Sequence, residues 1–209
     1  MTVEPESQPV GSPSGEAHSD GSPSVHQEGK EEHALVLDFL QNGYAFDPRP
    51  SHQKTPIVQA IGKRYFTLLE LVPKKDIVLQ PHEEVYIGDG KRDKIHHIKG
   101  RLPFDRLTVT ARSEVGPMID DLVRKDEAYF VTFFNKAQPL TTRMHQLELL
   151  PGLGKKHMWE IIEARKEKPF ENFLDIRKRV KIMPDPAAIV VKRILSEMEG
   201  LEKHRVFVR

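Results

Sequence analysis

The run Leu149-Leu150-Pro151-Gly152-Leu153-Gly154-Lys155-Lys156 decides how the chain is read. An apolar pair enters Pro-Gly-Leu-Gly, and two lysines open a segment with apolar residues at Met158, Ile161 and Ile162. The pattern predicts a helix-hairpin-helix: one helix ending at Leu150, a reversing turn, and a second helix from Lys155. Gly152 and Gly154 are expected to take backbone angles closed to residues with a Cβ and to let another backbone come close. Leu153, between them, is expected to point inward and pin the turn to both helices. The unpaired N–H groups of the turn and of the second helix's first turn then face outward with the helix dipole behind them, which makes a site for a phosphate oxygen. Lys155 and Lys156 add positive charge at that place. The competing reading is an ordinary tight loop in a helical bundle, with its lysines on a solvated face. The leucines before the turn, the lysines after it and the i, i+3, i+4 apolar spacing weigh for phosphate binding.

The longer run from Phe133 to Ile176, FFNKAQPLTTRMHQLELLPGLGKKHMWEIIEARKEKPFENFLDI, resembles an archaeal domain-of-unknown-function family, number 655. The upstream run from Gln59 to Val72, QAIGKRYFTLLELV, is similar to the β module of the same family. The resemblance extends from about residue 35 to residue 198, and Lys-Lys-His-Met-Trp-Glu-Ile after the turn is its most specific motif. It implies an OB-like β module joined to a helix-hairpin-helix region. It also implies a nucleic-acid-binding protein, directed at RNA in preference to DNA, since members tend to be encoded beside translation and transcription components. The family has no settled activity, so the resemblance names a class and not a mechanism.

Composition bounds the function further. The 209 residues suit one large or two small domains, and a hydrophobic content of 38% is enough for a core. No stretch approaches the length of a membrane span, no signal peptide is readable at the N-terminus, and a cytoplasmic protein is expected. The chain has no cysteine, which excludes disulfides, thiolate metal sites and cysteine catalysis. The net charge of +1 is unevenly spread. Residues 1–33 carry seven acidic side chains against one basic, residues 34–140 carry 16 basic against 14 acidic, and residues 141–209 carry 15 basic against 10 acidic. The basic excess therefore coincides with the expected phosphate-binding half.

Four segments follow. Residues 1–32 repeat Gly-Ser-Pro-Ser among acidic and polar residues and are expected to be a disordered acidic tail. Residues 34–138 are expected to form a small OB-like β-barrel. The stretch Ala34 to Leu40 fits a strand or a helix by pattern, and the resemblance favours a strand. Further strands are expected at 57–61, 65–72, 85–87, 95–99 and 128–134, with helical segments at 104–111 and 117–125, the latter started by Gly116 and Pro117. Residues 139–200 are expected to form the all-α tandem helix-hairpin-helix domain, with Leu140, Met144 and Leu147 lining its first helix. A short helix is expected over 174–180, with Phe170 and Phe173 in the core. A further helix over 187–199 is expected to be capped by Asp185 with Pro186 at its first position. The turn Ile182-Met183-Pro184-Asp185-Pro186 has no glycine and is expected to be a degenerate second hairpin. Residues 201–209 are a basic end, expected either to return as a strand or to stay loose. The fold class expected is thus α+β, a small OB-like β-barrel followed by an all-α tandem helix-hairpin-helix.

Besides Gly152, Leu153, Gly154, Lys155 and Lys156, the candidate contacts are Lys91, Arg92 and Lys94, a basic loop suited to a nucleic-acid backbone. Tyr65, Phe66 and Tyr86 alternate with basic residues and fit either core positions or stacking platforms. Trp159 fits either packing against the joint between the domains, the favoured reading, or stacking on a base. His96 and His97, adjacent on a strand, are expected to point to opposite faces, so with His82 they make no metal site. Asp120-Asp121 and Glu83-Glu84 fit solvated faces better than a metal-nuclease cluster. No phosphate-loop, serine-hydrolase or zinc-protease motif occurs. The expectation is a non-enzymatic binder of nucleic acid, with RNA ahead of DNA, linked to the ribosome or the translation machinery. No cofactor, metal or membrane is expected. A protein-interaction module is the alternative from another class, and a repair accessory protein on DNA is a third.

Overall fold

The computed structural model describes residues 29–209; the expected tail over 1–28 lies outside the described residues. Five antiparallel strands form a curled half-barrel, β1 (His33–Leu40), β2 (Ile57–Gly62), β3 (Leu68–Pro73), β4 (Glu84–Tyr86) and β5 (Ile95–Arg101), in the order β4-β1-β2-β3-β5. Period-two alternation divides the apolar residues between the two faces. Val36, Val58, Ala60, Leu69 and Leu71 join one core with Val85, Ile87 and Ile95, while Leu37, Ile61 and Leu68 join the core shared with the helices. A bulge between Val36 and Asp38 changes the register of β1 against β2.

The helix α1 (Val109–Lys125) crosses the second face. Its start is fixed by the sheet. The Thr108 side chain accepts from Ala111 N at 3.1 Å and donates to Asp38 Oδ2 at 2.6 Å, and Thr108 N donates to Gln59 Oε1 at 2.9 Å. Ala111, Val115, Met118, Ile119, Leu122 and Val123 form its buried stripe. That stripe begins before Gly116 and Pro117, so the helix runs through both and does not start there as expected. Residues 128–134, expected as a strand, lie within the helix α2 (Glu127–Lys136). Phe130, Val131 and Phe134 are spaced for a helix face, and burying them together outweighs the β preference of a Tyr-Phe-Val run. The first helix expected before the turn is absent. Pro139–Thr141 and Met144–His145 pair as a short hairpin, β6 and β7, and a 3-10 turn over Gln146–Leu149 follows. Leu147 is buried while Leu140 and Met144 are exposed, so no continuous apolar face existed to hold a helix.

The remaining helices are α3 (Lys155–Glu167), α4 (Phe173–Arg179) and α5 (Pro186–Met198). Phe170 and Phe173 are buried, and Asp185 caps α5 by accepting from Ala187 N at 3.2 Å, with Pro186 at the first position. One cluster of buried side chains runs from Leu37 and Ile61 through α1 and α2 to Met158, Ile176 and Ile194. Packing therefore draws no boundary between residues 138 and 139.

Two buried carboxylates tie the ends of the described chain. Glu31, assigned from the sequence to the tail, accepts from Arg64 N at 2.9 Å, Tyr65 N at 2.8 Å and Thr67 N at 3.3 Å, which closes the β2–β3 turn. A Cβ on Gly62 would lie 2.0 Å from the Glu31 carboxyl carbon, so glycine makes the space for it. Glu197 accepts from Val206 N at 2.8 Å and from Phe207 N and Val208 N at 2.9 Å each. Its partner Arg193 reaches it at 2.8 Å and also donates to Leu149 O at 2.8 Å and to His204 O. Residues 201–209 are thus neither a strand nor loose; Phe207 and Val208 are buried. Removing Glu197 breaks the buried pair and leaves the N–H groups of residues 206–208 without their acceptor, although Arg193 still meets Glu202 at 2.8 Å. Glu197→Ala is expected to lower unfolding free energy by about 3–5 kcal/mol. Amide exchange at residues 206–208 should accelerate beyond the change elsewhere; uniform exchange would contradict the role assigned to this carboxylate.

Candidate nucleic-acid interface

The run from Leu150 to Lys156 is a turn held from beneath. Leu150 and Leu153 are buried in the shared core, and Leu153 N donates to Leu150 O at 3.1 Å. Gly152 has φ +85°, the left-handed conformation that favours glycine. Gly154 differs from expectation, since its φ of −90° and ψ of 179° are extended backbone open to any residue. What the two glycines share is open space: a Cβ on either would meet nothing within 4 Å. The first intrahelical bond of α3 is Met158 N to Gly154 O at 3.0 Å, and no side chain caps the helix. Among the described residues the N–H groups of Gly154, Lys155, Lys156 and His157 have no acceptor. They carry the positive end of a 13-residue helix dipole. Lys155 and Lys156 are exposed and have no ion-pair partner among the described residues. Trp159, expected to pack, is 58% exposed and lies one turn from both lysines.

His145 prepares this turn. Its Nδ1 accepts from Leu147 N at 3.1 Å, and Glu148 Oε2 accepts from His145 N at 2.8 Å, a reciprocal cap on the 3-10 turn. Burial pushes the imidazole below its ordinary 6.5, Arg165 lowers it further and Glu148 opposes. The folded state therefore holds the neutral ring while the unfolded chain protonates. Stability should be level above about pH 6.5 and decline as pH falls below it, because the unfolded state then binds the extra proton. In His145→Asn this part of the pH dependence should vanish; an unchanged slope of stability against pH between 5 and 7 would assign the titration elsewhere.

The second turn repeats the backbone plan with other residues. Val180 and Met183 are buried where Leu150 and Leu153 are, and Ile182 sits at φ +55° with 86% of its surface exposed. A β-branched residue is strained there. Arg124 Nη2 lies 3.7 Å from the capping carboxylate of Asp185. Arg177, Lys178 and Lys181 lead into the turn, exposed and without ion-pair partners among the described residues. Their run, four cations in five residues with Arg179, is a signal in the sequence itself for a basic surface at this turn. Ile182→Gly should raise the melting temperature, because relief of strain of about 1–3 kcal/mol exceeds the roughly 1 kcal/mol entropic cost of glycine. A fall would mean that the isoleucine makes contacts its exposure does not suggest.

The loop over residues 91–94 is more committed than expected. Arg92 Nε donates to Gly88 O at 2.9 Å and Lys94 pairs with Glu83, which leaves Lys91 as the cation of the three without a partner among the described residues. No hydrogen bond or ion pair joins this loop to the turn at 150–156 among the described residues. Phe66 is a core residue, whereas the Tyr86 hydroxyl accepts from Gly90 N at 3.0 Å. His96 and His97 do not diverge as expected. A register shift of β5 against β3 beside Val72 lets their Nδ1 atoms approach to 2.7 Å. Among the described residues no three His, Asp or Glu side chains gather as a metal-ligating group, and no helix is long and apolar enough to cross a membrane.

Comparison with known proteins then places the chain. The sequence model of a family described as "Protein of unknown function (DUF655)" matches residues 30–209. The chain belongs to that family. An uncharacterised protein of Methanocaldococcus jannaschii is 42% identical over 178 residues, which cover 85% of this chain and 79% of that protein. The crystal structure of a DUF655 protein from Archaeoglobus fulgidus superimposes with a TM-score of 0.78 at 45% identity, covering 86% of this chain and all of the other. Both relatives are archaeal.

Proposed function

We propose that this DUF655 chain is a non-enzymatic nucleic-acid-binding protein that grips the phosphates of one strand through Gly152, Leu153, Gly154, Lys155 and Lys156. The observation that carries the proposal is the uncapped start of α3, where outward N–H groups, open space over both glycines and two unpaired lysines coincide. Four N–H donors and two ammonium groups suit a phosphate diester and carry no base code, so contact here is independent of sequence. In this reading the segment is a helix-hairpin-helix whose first helix has shrunk to the 3-10 turn over 146–149. The half-barrel is its OB-like partner, with Lys91 as a second backbone contact. RNA ranks ahead of DNA, and the ribosome or translation machinery is the expected setting, because of what the family resemblance implies. A protein-interaction module is the second reading, favoured by the exposed indole of Trp159.

Lys155→Glu with Lys156→Glu should weaken binding and reduce the slope of log K against log salt by about one to two. Gly154→Val is the cleaner backbone variant, since its extended conformation and open surroundings leave the fold intact while a side chain covers the N–H groups. Gly152 variants would strain the turn itself. Fluorescence anisotropy with labelled RNA and DNA over a salt series checks this, and unchanged affinity in the folded lysine variant would sink it. Salt-insensitive capture of a single protein in place of nucleic acid would favour the second reading.

A further inference from the structure

The connection from β1 to β2, read from the sequence only as turns, carries an exposed pair of rings. Asp47 N donates to Tyr44 O at 3.2 Å, and this tight turn lifts Phe46 to 73% exposure. The Tyr44 and Phe46 rings stack with centroids 4.8 Å apart and planes 15° from parallel. Tyr44 is anchored from below. Its hydroxyl donates to Glu70 Oε2 at 3.0 Å and accepts from Gln59 Nε2 at 3.2 Å, and Gln59 is fully buried and bonded to Arg106 O at 3.1 Å. Burial pushes the phenol above its ordinary value, so it remains a donor. Phe46 therefore rests on a ring that the sheet holds still, which removes much of the entropy cost of presenting a flat aromatic face to a ligand.

Charge surrounds the platform. The rings line a cleft of about 360 Å³ with Lys99, Arg101 and Arg106, and Lys99 Nζ is 5.9 Å from the Tyr44 centroid. Glu70 neutralises Lys99, whereas Arg101 and Arg106 are exposed and have no ion-pair partner among the described residues. The carboxylate nearest in sequence, Asp47, is matched by Arg49 through Nε at 3.1 Å and Nη2 at 2.7 Å, and that pairing holds its pKa at about 2. An exposed, immobilised π-face beside two free guanidinium groups fits an unstacked base with its flanking phosphates. A duplex buries its base faces and cannot use it.

We propose that Phe46, held on Tyr44, is a base-stacking site for single-stranded nucleic acid, with Arg101 and Arg106 taking the adjoining phosphates. The inference rests on the reading of the chain as a nucleic-acid binder and adds to it a preference for unpaired strands. The test uses the full chain and a single-stranded RNA hexamer with 2-aminopurine at its centre, alongside an RNA duplex followed by anisotropy. Stacking quenches 2-aminopurine. The intact protein should quench it, Phe46→Ala should weaken hexamer binding about tenfold and abolish the quench, and Phe46→Trp should restore both. Duplex affinity and its salt slope should not change in Phe46→Ala, and Phe46 is exposed enough that the variant should melt with the intact protein. Equal quenching by Phe46→Ala, or none by the intact protein, overturns the stacking site. If the duplex still binds with a salt slope that Lys155→Glu/Lys156→Glu lowers, the phosphate grip survives that failure. If neither nucleic acid binds, both readings fall. A protein ligand lost in Phe46→Ala, with the hexamer unquenched, would overturn it in favour of a protein contact.

Discussion

The ion pair of Arg193 with Glu197 is the interaction on which the arrangement of the helices depends. One turn of α5 supplies both members, and both are almost completely buried. Between them they tie α5 to two segments far apart in sequence: the carbonyl of Leu149 at the mouth of the turn, and the chain end through the carbonyl of His204 and the N–H groups of residues 206–208. Charges taken out of water are tolerable only when their remaining hydrogen-bonding capacity is filled, and here backbone groups fill it. The uncapped start of α3 is presented outward because the residue before Leu150 is pinned to α5 from inside.

The same device appears at the other end of the fold. Glu31 collects three backbone N–H groups of the β2–β3 turn, and Thr67 Oγ1 from that turn bonds the carbonyl of Arg209. The first and last described segments therefore meet on one turn of the sheet. Between these two anchors α1 is the shared wall, packed on β1 and β2 on one side and on α5 on the other. A single core of buried side chains runs from the half-barrel through the helices to the turn at 150–156.

Strain and exposure are unevenly distributed across this frame. The buried charges Glu31, Arg193 and Glu197 are bonded, while Ile182 occupies a left-handed conformation in the open, and Phe46 and Trp159 present large apolar surfaces to solvent. Phe46 stands beside unpaired arginines, Ile182 and Trp159 beside unpaired lysines. Exposed apolar surface set among free cations is a poor arrangement for solubility and a good one for a ligand that is flat, apolar in its bases and anionic in its backbone.

Local chemistry was readable from the sequence wherever a residue type left few choices. Pro-Gly-Leu-Gly-Lys-Lys required a turn with a buried leucine and a helix beyond it, Asp185-Pro186 required a helix start, and the short apolar runs at 57–61 and 65–72 required strands, the second of which begins only at Leu68. Elements that depend on a distant partner were not readable. Residues 128–134 carry strand-forming side chains and became a helix because the core accepts Phe130 and Phe134 on one face. Residues 140–150 have helix-compatible spacing, yet became a hairpin and a 3-10 turn because His145 and Glu148 cap one another and the core takes Leu147 and Leu150 but leaves Leu140 and Met144 outside. Glu31 read as part of a tail, since a carboxylate shows no preference for burial until three N–H groups converge on it. The Tyr44–Phe46 platform likewise exists only through Gln59 and Glu70, which strands β2 and β3 bring from beyond the turn. Sequence fixes what a residue can do locally, and the tertiary structure decides which backbone groups and charges are near enough for it to do so.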